Sequence, residues 1–138
     1  MRLNSFKNKI KMYYLNKTVN LSFEDAEQQM RDQLKAVGFG ILTEIDMQAT
    51  MKKKLNKDLH KYKILGACHP EFAYGALQTE YKIGILLPCN VTIIENEDGR
   101  TDISIMDPVA ALDIVKNDEV SGFAKEVKVI LQGVLNHF

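Results

Sequence analysis

Residues 119–136 repeat apolar side chains at three- and four-residue spacing: Val120, Phe123, Ala124, Val127, Ile130, Leu131, Val134 and Leu135. At 3.6 residues per turn these fall on one face of a helix. A helix with so long an apolar stripe must lay it against another surface. The rest of the chain supplies segments to build one. Residues 12–19, 39–45, 62–68, 83–95 and 101–106 read as strands, rich in aromatic and β-branched residues or alternating in polarity.

Between them the helix signals are local and chemical. Ser22, with Asp25 three residues on, gives a capping-box pattern, followed by Phe23, Ala26, Met30, Leu34 and Val37 at helical spacing. Gly38 then ends that helix, since a left-handed C-terminal position favours glycine. Asp46 can cap a helix over 47–55, whose apolar stripe is Met47, Met51 and Leu55 and whose Lys52, Lys53 and Lys54 face water. Pro70 and Pro108 fit the first turn of two further helices, running to about residues 80 and 115. The turn Glu97-Asp98-Gly99-Arg100 joins the last two strands as a hairpin. The order is β-α-β-α-β-α-β-β-α-α. This predicts an α+β fold, a two-layer sandwich with helices on one face of a mixed, mainly antiparallel sheet. The early β-α alternation predicts some parallel pairing.

At 138 residues the chain has room for one domain, expected over 12–138. Residues 1–11 carry Arg2, Lys7, Lys9 and Lys11 and no acid, and read as a disordered leader or a start placed too early. They lack the apolar segment of a secretory signal, so a cytoplasmic protein is expected. Lys plus Arg equals Asp plus Glu, 18 each, so net charge offers no pull toward nucleic acid or a membrane surface. No apolar run reaches the ~20 residues of a membrane helix. Two cysteines are too few for a disulfide framework, and in a reducing compartment they are thiols.

Four stretches together carry a family resemblance. They are GFGILTEID (38–46), YKILGACHP (62–70), IGILLPCNV (83–91) and Asp107-Pro108. The chain resembles the bacterial and archaeal family catalogued as domain of unknown function 302, in the branch with paired Gly-Ala-Cys and Leu-Pro-Cys-Asn elements. The resemblance runs from Met12 onward. It implies a compact α+β fold, often a homodimer, and no established activity or cofactor. His69 stands where that branch commonly has Asn.

The residues suggest chemistry centred on thiols. Cys68 ends a strand two residues before a helix-opening proline, where backbone N–H groups and the helix dipole favour a thiolate. The competing reading is a small core residue, because Cys68 shares parity with Tyr62 and Ile64. Cys89 shares parity with Ile85, Leu87, Val91 and Ile93, an apolar face. Pro88 lacks an N–H, so its strand is expected at an edge or bulged, which would re-aim Cys89 and Asn90. If the two cysteine strands are neighbours, both thiols can face one pocket. Candidate metal ligands are Cys68, His69 and Cys89, with His60 or His137 as a remote fourth, although no zinc-type spacing is present. Glu44, Asp46 and Glu80 are acid–base candidates, with Glu44 and Asp46 placed opposite Ile41, Thr43 and Ile45. Asp46, Thr50 and Lys54 form a polar line that is either a solvated helix edge or an anion subsite.

The candidate ligand-binding set is thus Cys68, Cys89, Asn90, Asp46, Glu44, Thr50 and Lys54, with Cys68 the candidate nucleophile. No phosphate-binding loop, dinucleotide fingerprint or nucleophile elbow is present. Three function classes remain open. They are a small-molecule or metal binding module, a homodimeric interaction module with core cysteines, and a thiol-redox or sulfur-handling protein.

Overall fold

The computed structural model describes residues 12–138, so the leader expected over 1–11 lies outside the described residues. The elements are β1 (Tyr14–Val19), α1 (Phe23–Ala36), β2 (Gly40–Asp46), α2 (Met47–Leu55), β3 (Tyr62–Cys68), α3 (Pro70–Thr79), a 3-10 segment (Tyr81–Leu86), β4 (Cys89–Glu95), β5 (Thr101–Met106), α4 (Pro108–Leu112), a second 3-10 turn (Asp113–Val115) and α5 (Asp118–Asn136). The five strands form one sheet in the order β1-β5-β4-β3-β2. The α+β class and the element order are those expected.

Every neighbouring pair in the sheet is antiparallel, so the expected parallel component does not occur. The reason lies in where the helical connections end. Asp46, at the close of β2, sits opposite Lys63 near the start of β3. The segment carrying α2 therefore leaves and returns at one end of the sheet and is not a crossover. The α3 connection behaves in the same way, with Ala67 opposite Cys89. Only α1 travels the width of the sheet, from one edge strand to the other.

The local signals act as their chemistry dictates. Ser22 Oγ accepts from the Asp25 N–H at 3.1 Å. Gly38 takes φ +89°. Around it Phe39 N–H reaches the Leu34 carbonyl at 2.9 Å and Gly38 N–H reaches Lys35 at 3.1 Å, the paired bonds of a Schellman C-cap. One face of the sheet is covered by α1 and α5. Ala26, Met30 and Leu34 from α1 and Leu131, Val134 and Leu135 from α5 pack on Leu65, Val91, Ile93, Ile103 and Ile105. The opposite face is open and carries Tyr14, Asn16, Tyr62, Asn90, Thr92, Ile94, Asp102 and Ser104. A second, smaller cluster of Ala76, Ile83, Leu112, Val120 and Ala124 lies beside the main core.

Three local expectations are corrected. Residues 81–86 form a 3-10 turn, not strand, and β4 begins at Cys89. Ile83 is buried there within the second cluster, and a short apolar run carries no period that separates strand from buried helix. β4 is also central, paired with both β3 and β5, so Pro88 marks its entrance and neither an edge nor a bulge. The bulge lies in β2. Ile41 pairs with Ala67 and Thr43 with Gly66, which leaves Leu42 as the extra residue. Because strand parity is two, that one residue puts Ile41 on the helix-covered face with Glu44 and Asp46, and Thr43 and Ile45 on the other.

Gly66 fits its place tightly. A Cβ there would stand 2.1 Å from Thr43 Oγ1 and 2.7 Å from Pro88 Cγ. Gly66→Ala is expected to lower stability by about 1–3 kcal/mol in urea unfolding. Thr43→Ala should recover part of that loss in the double variant, because it removes one of the two clashing atoms. A neutral Gly66→Ala would show that Pro88 and Thr43 do not confine this strand.

Candidate functional site

The Ala67–Cys89 pair is the last rung shared by β3 and β4. Beyond it the strands part. β3 passes through Cys68 and His69 into α3, while β4 is entered from the 3-10 segment through Leu87 and Pro88, joined by a cis peptide bond. A half-open cavity of about 50 Å³ lies in the fork, walled by α3, α4 and α5. Its wall draws on both hydrophobic clusters: Phe39, Ala67, Cys89 and Val127 from the larger, Ala76, Leu112 and Ala124 from the smaller. Phe72 and Phe123 complete it, their ring centroids 6.3 Å apart. The cavity is therefore the seam where two cores meet.

Both cysteines line this seam. Cys89 is buried and Cys68 half-buried, and both are free. Burial pushes the Cys89 thiol up to about 11, with the nearby Cys68 sulfur adding to the effect. Burial also pushes Cys68 up. The thiolate expected at the helix mouth is thus opposed by desolvation, and the wall contains no Lys or Arg among the described residues to offset it.

His69 also lines the cavity, and its neighbours explain its orientation. The ring sits between Phe39 and Phe72, at centroid distances of 5.2 and 4.7 Å. It also lies over Gly38, where a Cβ would meet Nε2 at 2.9 Å. The glycine that ends α1 therefore also makes room for the imidazole. His69 occupies the N-cap position of α3 yet makes no side-chain cap hydrogen bond. Among the described residues its Nδ1 has no hydrogen-bond partner, and it is buried.

The other candidates lie elsewhere. Asn90 follows Cys89 by one residue, so it points to the open face of the sheet, in a groove with Tyr62 and Thr92. Asp46 is six residues along β2 from Gly40, the partner of Cys68, a strand distance of roughly 20 Å. There it caps α2, accepting from Ala49 N–H at 2.9 Å, while Thr50 Oγ1 donates to its carbonyl at 2.7 Å. Lys54 is exposed at the same end. Glu44 pairs with Arg31 at 2.8 Å and Lys63 at 3.0 Å. The hydrogen bond from Lys63 first, and that from Arg31 second, hold its carboxyl below the usual range.

Glu80 caps the 3-10 segment through Lys82 N–H. His60 stands 3.8 Å from Glu95, and His137 bonds to the Gly133 carbonyl. Among the described residues no three His, Cys, Asp or Glu side chains are grouped to hold a metal ion. Phe39, Phe72 and Phe123 carry no local sequence signal for the site. They become legible only once α3 and α5 are docked.

The family model described as domain of unknown function DUF302 matches residues 15–138. A crystal structure of an uncharacterized conserved DUF302 protein from Bacillus stearothermophilus is similar to this chain, with a TM-score of 0.85 at 21% identity over 91% of this chain and 98% of that one. No curated protein matches. Among the described residues no helix is long and apolar enough to cross a membrane.

The raised thiol of Cys89 makes a pH prediction with a definite sign. The folded state holds its proton more tightly than the unfolded chain, whose thiol titrates near the ordinary 9.0. Its contribution is complete below pH 9 and is lost as pH rises from 9 toward 11. Wild-type stability should therefore fall over that window by on the order of 2 kcal/mol more than that of Cys89→Ala, measured by urea melts at each pH. Parallel pH profiles would show that the thiol is not desolvated.

Proposed function

Since the chain belongs to the DUF302 family, whose name carries no activity to inherit, we propose from its own geometry that it is a binding module for a ligand of a few atoms, held in the cavity between Cys68 and Cys89. One observation carries this reading: Cys68, Cys89 and His69 border the same apolar cavity. Its size selects the ligand class. About 50 Å³ exceeds the ~10–15 Å³ that one water needs. It falls far below the ~300–1,000 Å³ of sites for drug-sized molecules. The space between the walls is too small to enclose a nucleotide or a sugar. A thiophilic species fits the polar atoms on offer, and a reducing cytoplasm would keep both cysteines available. The thiol-redox reading gains less support, because burial raises both thiols and lowers the thiolate fraction that attack requires.

Native mass spectrometry of gently purified protein tests the reading. Wild type should carry a small bound mass, and Ala73→Leu, which puts bulk into the cavity wall, should be bare while still folded. Bare wild-type protein from both reducing and air-exposed preparations would overturn it.

A second reading, a homodimeric interaction module, is favoured by the uncovered face of the sheet. Tyr14, Tyr62, Ile94 and Met106 line an open groove of about 490 Å³ there, opposite the face that the helices bury. Sedimentation should then show a dimer that Tyr62→Arg converts to monomer. A wild-type monomer at micromolar concentration would sink this reading and leave the first untouched.

A further inference from the structure

The binding reading above leaves the ligand's chemistry open, and the cavity narrows it. Cys68 directly follows the residue that pairs with Cys89, so the two cysteines are diagonal neighbours across adjacent strands. On a continuing strand their side chains would alternate to opposite faces. Cys68 is the last residue of β3, paired with Gly40 of β2 alone; both residues border one cavity, and the Cys68 sulfur lies near enough to Cys89 to act on its thiol. His69 borders it too, with its Nδ1 buried and unpartnered. The remaining wall is almost wholly apolar. Such a site offers soft donors, little room and no countercharge.

These properties discriminate among ions. Structural zinc takes four ligands in a tetrahedron, and no group of even three candidate ligands exists among the described residues. Calcium and magnesium require six or more oxygens. Monovalent copper is soft, accepts two-coordinate thiolate ligation and is favoured by sulfur donors. Its single charge leaves a bis-thiolate complex at −1, where two bare thiolates would carry −2 in an apolar wall.

Resting on the binding reading, we propose that the cavity is a Cu(I) site in which Cys68 Sγ and Cys89 Sγ are the two ligands. Binding is Cu⁺ plus two thiols giving one bis-thiolate complex and two protons released to solvent; no electron is transferred.

The test is anaerobic titration of reduced protein with Cu(I) in competition with a chromogenic Cu(I) chelator. Wild type should take up one ion per chain. Cys68→Ser and Cys89→Ser should each weaken binding by more than the ~10–100-fold that loss of an outer-shell partner costs. Their folding is checked by thermal melts, and Cys68→Ser, at a half-buried position, is the variant least exposed to misfolding. Unchanged uptake in either folded variant, or no uptake by wild type, would overturn the proposal. The two readings fail separately. Wild type that carries a small bound mass but takes no Cu(I) loses the copper assignment and keeps the binding cavity. Ala73→Leu that retains both the bound mass and full Cu(I) affinity shows that the cavity is not where binding occurs.

Discussion

The rung between Ala67 and Cys89 sets the architecture of this domain. It is the last point at which β3 and β4 are paired. Immediately before Cys89 stands Pro88, which has no N–H to extend the ladder. Immediately after Ala67 come two residues and then Pro70, whose fixed φ suits the first turn of a helix. The two chains must separate here, and α3 and the 3-10 segment occupy the space they leave. Phe72 of α3 packs against the main core, while Ala76 and Ile83 build a second cluster with Leu112 and with Val120 and Ala124 in the first half of α5. The cavity is what remains between two clusters that one long helix spans but does not merge.

The polar side chains are sorted along the same axis. At the far end of β2 and β3, Glu27, Arg31, Glu44 and Lys63 form a four-residue ion-pair network between α1 and the sheet. At the cavity end the buried charge is Asp107. It caps α4 through Val109 N–H at 2.9 Å and pairs with Lys128 of α5 at 2.9 Å. That tie holds Pro108 and Leu112 in the cavity wall without bringing a charge into it. The thiols therefore lie in an apolar stretch, and burial there is what raises both of them.

What was legible in the sequence was whatever local chemistry decides. The bounds of β3, α2 and β5, the glycine stop after α1 and the two proline-led helices all follow from caps, turns and period. The shared cavity of Cys68 and Cys89 was legible conditionally, given neighbouring strands. Three things were not legible. The bulge at Leu42 reverses the faces of Ile41 and Thr43, yet GILTEID contains no glycine or proline at the bulge itself to announce it. The run from Ile83 to Leu87 is apolar throughout except for Gly84, so nothing local separated strand from 3-10 turn. Asn90 shares a site with Cys89 only if a bulge at Pro88 re-aims the pair, whereas the continuous strand sends the two to opposite faces of the sheet.

The four stretches through which the chain resembles its family are far apart in sequence, and each contributes to this one cavity. Phe39 comes from the first, Ala67, Cys68 and His69 from the second, Leu87, Pro88 and Cys89 from the third, and Pro108 from the last. Part of this convergence is architectural. Gly38, Pro70 and Asp107 stop, start and cap helices, and any chain with this fold needs such residues there. His69 is different. At an N-cap, Asn, Ser or Asp contributes about 0.5–2 kcal/mol, and this histidine makes no cap bond. A buried polar atom without a partner costs a further ~1–3 kcal/mol, and its Nδ1 has none. Both terms run against stability at one residue beside two thiols. What the fold sets against them is packing, since the imidazole fills the space between the rings of Phe39 and Phe72.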